Sequence, residues 1–288
     1  MNEALSLRPD KTAAFLPQEF EVTVWSRLKP YYTELLTRSV NTLVELEQWI
    51  ADRSELNLTL EEEVNRRYAI LSVDVGNEKA AAAYNYLIQE VLPRTSSINH
   101  QLNKRLLQSP FCALLDRDQY GIYLRTVRSQ IKRYEQKNLE LLAKIKVKTQ
   151  RYGQLFGQMT IVHEGKEYTI GAVRKLLESP DRDLRKQIYL KTADQLLTKK
   201  EVMETLFDNL LKMRHQVAQN AGFVNYRDYR FEELERFAYT PEDCKRFHQV
   251  VRSEVLPLYR ATQEQKRQEL DVDRLRPWDL QAVWGNPH

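Results

Sequence analysis

Five histidines (His100, His163, His215, His248 and His288) and two cysteines (Cys112 and Cys244) are the side chains best suited to hold a metal or act as nucleophiles. A catalytic zinc needs convergent ligands, and His-Glu-x-x-His supplies two imidazoles and a general-base carboxylate from one helix face. None of the five histidines stands in that pattern. The nearest approach, His163-Glu164-Gly165-Lys166-Glu167, lacks the second histidine, and its Gly-Lys centre reads as a turn. Cys244 and His248 lie one helical turn apart and would share a face. No second pair of ligand type accompanies them, so they read as a packed or surface pair. Asp271, Asp273 and Asp279, beside Trp278, offer carboxylates. They read as turn caps or partners of neighbouring arginines, because no third group orients them for acid–base work. A glycine-rich phosphate loop, a Gly-x-Ser-x-Gly elbow and a Cys/His nucleophile arrangement are all missing from the sequence. The sequence therefore assigns no catalytic residue and no metal ligand, and leaves substrate-binding residues undefined.

The elements that would carry these residues are read as mostly α. Only 8 Gly and 10 Pro leave little material for the turns of an all-β protein. A first helix is expected from near Pro30, with apolar residues recurring from Tyr32 through Leu35, Leu36, Val40, Leu43 and Leu46 to Ile50. Thr59 followed by Glu62 reads as a capping box that opens a second helix, with Glu61, Glu62 and Glu63 at the positive end of its dipole. Asn77 opens an Ala-rich helix that Pro93 kinks or ends, resuming through Ile98 and Leu102, and Ser109-Pro110 breaks the chain. A long helix is expected from Phe111 through Leu124, Val127, Ile131 and Ile145, laid along a larger body. Met159-Thr160-Ile161-Val162 and Tyr168-Thr169-Ile170 flank a polar turn and read as a small β-hairpin near residues 158–170. Ser179 is expected to cap a helix running past Met213 to a left-handed Gly222, either as one continuous element or as two with a short break near Thr198. Thr240-Pro241 starts the last helix, which Pro257 kinks.

At 288 residues the chain suggests about two domains on a prior of roughly 150 residues each. The first ten residues carry an acid where a signal peptide needs a base. No later run reaches the roughly 18 apolar residues that would span a bilayer. Together with two widely spaced cysteines, this predicts a cytoplasmic protein with no membrane partner. Net charge is only +4, although residues 117–151 carry ten Lys or Arg against three acids. That run reads as a solvated helix face and predicts no nucleic-acid partner. Tyr226-Arg227-Asp228-Tyr229-Arg230-Phe231 interleaves aromatics and arginines. It reads as packing, with the arginine stems covering apolar surface, and not as a stacking platform for single strands.

The stretch 214–280 carries a dense run of residues: Arg214-His215-Gln216, Asn220-Ala221-Gly222-Phe223, Asn225-Tyr226-Arg227-Asp228-Tyr229, Arg236-Phe237, Tyr239-Thr240-Pro241-Glu242-Asp243 and Leu275-Arg276-Pro277-Trp278-Asp279-Leu280. Its order and spacing resemble the early catalytic-domain segment of the thimet-oligopeptidase-like zinc endopeptidases, in their oligoendopeptidase F branch. The resemblance covers most of the chain. It implies elongated helical lobes: an N-terminal lobe (residues 1–108), a helical insert with the hairpin (109–197) and the incomplete beginning of the peptidase domain (198–288). In that family the segment leads into the His-Glu-x-x-His helix, and this sequence ends first. The resemblance therefore implies an N-terminal part that supplies cleft wall and scaffold. Zinc belongs to the complete family and none is expected in this chain. Short peptides are the expected substrates of the complete enzyme, and a separately supplied catalytic C-terminal half is an expected partner. Aromatic and aliphatic residues built to meet that half (Leu210, Phe223, Tyr226, Phe231, Phe237, Tyr239, Leu256, Trp278 and Trp284) are expected to be uncovered. The alternative is a stand-alone helical scaffold or binding protein that uses the basic 117–151 region.

Overall fold

The computed structural model describes residues 15–17 and 20–285, so the reading of the first ten residues lies outside it. The fold is mostly α, with a two-stranded antiparallel hairpin among the described residues. It forms two compact units, Met1–Lys144 and Ile145–His288. The helix at 117–133 adds Leu124 and Val127 to the first unit's core.

In the first unit, α1 (Trp25–Thr37) starts five residues before Pro30, which lies inside it. The helix expected to run on to Ile50 stops at Arg38, and α2 (Leu43–Val73) restarts the same apolar face. Thr42 is the cap, its hydroxyl accepting from the Glu45 N–H at 3.2 Å. Thr59 does not start a helix: it lies inside α2, where its hydroxyl donates to the Glu55 carbonyl at 2.9 Å. Glu63 is likewise no cap, its carboxylate taking Arg66 and Arg67 at 2.6 Å each. The third helix, α3 (Glu78–Tyr86), opens on Asn77 as expected, and a π turn (Leu87–Val91) joins it to α4 (Leu92–Gln108). A 3-10 turn (Pro110–Leu114) and α5 (Arg117–Arg133) follow. The expected continuous helix from Phe111 is thus divided, because Tyr134 leaves helical geometry before α6 (Asn138–Gly157).

The core of this unit gathers Leu28, Tyr32 and Leu35 of α1, Trp49 and Leu56 of α2, Leu87 and Val91 of the π turn, and Leu102 and Leu106 of α4. Each such apolar side chain contributes roughly 1.5–3 kcal/mol. Trp49 satisfies its indole N–H on the Leu35 carbonyl at 2.9 Å.

In the second unit, β1 (Thr160–His163) pairs with β2 (Lys166–Thr169). The loop is Glu164-Gly165, both residues at positive φ (51° and 76°), which is the twist a two-residue hairpin favours. Ile161 packs with Val173, with Leu177 of α7 (Arg174–Leu177) and with Ile188 of α8 (Arg182–Thr198). The cap of α8 is Asp181, which accepts from the N–H groups of Asp183 and Leu184. Ser179, the expected cap, instead accepts from the Asp181 N–H. After a single-residue break at Lys199, α9 (Lys200–Asn220) ends as expected on Gly222, at φ 78°. Gly222 N–H donates to the Gln219 carbonyl and Phe223 N–H to the Ala218 carbonyl, which together satisfy the helix end. Three more helices follow: α10 (Tyr226–Glu233), α11 (Pro241–Val250) and α12 (Leu256–Glu269), the last two joined by a second π turn (Val251–Val255).

Candidate functional site: a buried clamp and a bare helical arm

The ligand-type side chains stay apart. His100 stacks on Tyr134, where burial, then the Lys104 charge, hold its imidazole below the ordinary value. His163 is buried in the hairpin with Nε2 3.9 Å from Glu164. His215 lies on α9, while Cys244 and His248 share α11; His288 lies outside the described residues. Among the described residues no group of three or more His, Cys, Asp or Glu converges on a point that could hold a metal ion. These residues do not fit a catalytic zinc, and no chemical step is derived through one.

The strongest electrostatic feature lies where α8 meets the end of the chain. A short 3-10 turn (Pro277–Asp279) carries Asp279 into the protein, fully buried. Arg185, also buried, donates to Oδ1 at 2.9 Å, and Arg182 donates to Oδ1 at 3.1 Å and Oδ2 at 3.0 Å. The Arg276 backbone N–H donates to Oδ2 at 2.9 Å. The remaining Arg185 donors reach the carbonyls of Ser179, Pro180 and Trp278. Burial alone would raise the Asp279 pKa. The Arg182, Arg276 N–H and Arg185 donors outweigh it and bring the carboxyl down to about 2. Lys266, buried on α12, donates to the Leu280 carbonyl at 2.8 Å, and desolvation holds its ammonium below the usual range. Sequence reading paired the aspartates with neighbouring arginines and missed this arrangement. Its signal was Arg182 and Arg185, three apart and hence on one helix face.

The corner between α9 and α10 holds the aromatic set. Phe223 and Tyr226 pack on the buried Tyr229, Phe231 packs edge-on to Tyr239, and Arg236 lies over both of the latter rings. Arg227 pairs with Asp228 at 2.9 Å, and Arg230 pairs with Glu233. Acids of their own helix thus take the charges of both arginines. The basic run at 117–151 is divided between α5 and α6 by the turn after Arg133.

The expected uncovered aromatics are mostly half-buried against one another; only Tyr239 among them is exposed. Bare apolar side chains are found on α11, the second π turn and α12, as they are elsewhere on the molecule. Phe247 is 67% and Leu258 69% exposed, and Val250, Val255 and Tyr259 are exposed as well. Across these three elements only Lys266 is buried.

Comparison with known proteins follows this geometry. Residues 15–134 match the family model described as the peptidase M3 N-terminal domain, and residues 175–283 that described as peptidase family M3. Among solved structures, PZ peptidase A with an inhibitor is 22% identical at a TM-score of 0.87, over 94% of this chain and 48% of that one. An oligoendopeptidase F from Bacillus anthracis is 21% identical at 0.86, over 94% of this chain and 50% of its own. One from Enterococcus faecium is 15% identical at 0.69, over 90% and 55%. These likenesses are of fold, and the chain spans about half the length of the proteins it matches. A comparison with curated proteins gave no match. An N-terminal domain followed by a peptidase segment, each matched in order and carried on the same helical scaffold, assigns this chain to peptidase family M3.

Proposed function

We propose that this chain is the N-terminal half of an oligoendopeptidase F-like zinc metalloendopeptidase that cleaves short peptides. In this reading it forms one wall of the cleft and the scaffold behind it, while the zinc ligands and general base belong to the other half of the fold. The observation that carries the reading is the pair of M3 matches on a chain spanning about half of its solved relatives. The Asp279 clamp would hold the 274–282 segment on α8 in a fixed direction. The charges of Arg227 and Arg230 are taken by Asp228 and Glu233, so no nucleic-acid role is assigned. No helix among the described residues is long and apolar enough to cross a membrane. Cys112 and Cys244 are unpaired, and we place the complete enzyme in the cytoplasm.

Metal analysis of the purified chain after dialysis against zinc-free buffer tests this assignment. The expected result is no stoichiometric zinc and no cleavage of short peptides. One tightly held zinc per chain with chelator-sensitive cleavage would place the catalytic centre here and overturn the division of roles.

A further inference from the structure

The first unit holds a polar layer as well as an apolar core. Arg53 of α2 reaches into it and is only 4% exposed. Its Nη2 donates to the side-chain oxygens of Asn103 at 2.6 Å and Asn99 at 3.2 Å, both on α4. The remaining amide oxygens of the layer are taken too. Asn57 accepts from the Tyr32 hydroxyl at 3.0 Å and from the Asn99 amide at 3.2 Å, and Asn99 accepts from the Asn57 amide at 3.3 Å. Gln130 of α5 accepts from the Asn103 amide at 3.0 Å. Nε and Nη1 of Arg53 are also buried, and neither has an acceptor. The layer thus holds more donors than acceptors, whereas buried polar groups are as a rule hydrogen-bonded.

The charge is unmatched as well. Among the described residues Arg53 makes no ion pair: Asp52 and Glu34 are engaged by Arg38, and Glu55 accepts from the N–H groups of Phe15 and Leu16. The Trp49 ring lies 5.8 Å from the Arg53 guanidinium, but Arg105 lies over the same ring at 5.9 Å and adds a second cation. Arg105 directs its own donors to the carbonyls of Leu35, Leu36 and Arg38 at the end of α1. Burial pushes the Arg53 pKa down, and the groups that oppose the shift are the phenols of Tyr123 and Tyr32, not a carboxylate. A buried guanidinium is tolerable when acceptors and counter-charge are both supplied.

We propose that Nε and Nη1 of Arg53 form the binding site for a small monovalent anion of the chloride class, within the polar layer shared by α2, α4 and α5. Enclosure of this degree excludes a peptide or a nucleotide and restricts the ligand to a small ion. Water would accept the two hydrogen bonds and leave the charge in place, whereas a monovalent anion answers both needs with charge-assisted bonds. The inference concerns the first unit alone and is independent of the peptidase reading.

The test unfolds the full chain in urea and refolds it in sodium chloride, sodium bromide or sodium gluconate at equal ionic strength, because an enclosed ion enters as the unit folds. The expected result is a melting temperature at least about 2 °C higher in halide than in gluconate, a difference that grows with the logarithm of halide concentration. Arg53→Leu should lose this difference, and Arg117→Ala, on the exposed start of α5, should keep it. General salt effects are common to all three proteins and cancel in the comparison. If Arg53→Leu does not fold, a crystal of the unmodified chain refolded in bromide decides, with an anomalous peak expected within hydrogen-bond reach of Arg53 Nη1. Ordered water on both donors, a protein carboxylate turned onto them, or bromide found only elsewhere, as an adventitious ion only, overturns the proposal. So does a halide dependence that Arg53→Leu retains.

Discussion

Asp279 depends on its partners, because a buried carboxylate is tolerable only while its donors are in place. Asp279→Asn keeps the shape but leaves Arg185 buried without its counter-charge, and a loss of about 3–5 kcal/mol is expected in denaturant unfolding. The folded carboxyl titrates at about 2, below the ordinary aspartate value, so its stabilisation is complete above about pH 4 and is lost as pH falls through 2. The contribution is about 2 kcal/mol. The acid limb of the melting curve should therefore be shallower in Asp279→Asn. This clamp was not legible in the sequence, since its arginines lie 97 and 94 residues away. Gly222 was legible, because a left-handed helix end has a local signature. A Cβ there meets nothing within 4 Å, so Gly222→Ala tests backbone strain alone. It should lower stability by about 1 kcal/mol in a thermal melt.

At the scale of elements, local chemistry identified some helix ends and misplaced others. Thr42 and Thr59 each precede a glutamate by three residues, and only the first caps. The chain leaves helical geometry at Arg38, whose guanidinium reaches Asp52 of α2 at 2.5 Å, so capping falls to Thr42. Thr42→Ala should cost about 1 kcal/mol of stability, and Thr59→Ala under about 0.5. The hairpin, the Asn77 start and the Thr240 start were all readable, because each depends on residues near in sequence. The two prolines separate local from tertiary control. Pro257→Ala on the bare arm frees residues 251–257 to become regular α-helix, so their amide exchange should slow. Pro93→Ala should bring no such gain, because Leu87, Ile88 and Val91 are already fixed by the core. Equal slowing at both sites would contradict this account.

For the whole molecule, the family was legible in the 214–280 segment, and two matched models now carry it. Which surface is left bare was not legible. The resemblance pointed to the aromatics, but rings at 223–239 pack on one another, while an amphipathic helix such as α11 looks the same in sequence whether its partner is present or not. The account's central claim is that this chain is a supporting half whose catalytic chemistry comes from the rest of the fold. The most direct measurement is hydrolysis of a short quenched-fluorescent peptide by this chain alone and by the chain co-produced with a C-terminal M3 half, each with and without a zinc chelator. The account predicts no hydrolysis by the chain alone and chelator-sensitive hydrolysis by the pair. Chelator-sensitive hydrolysis by the chain alone, or none by a pair shown to be associated, would contradict it.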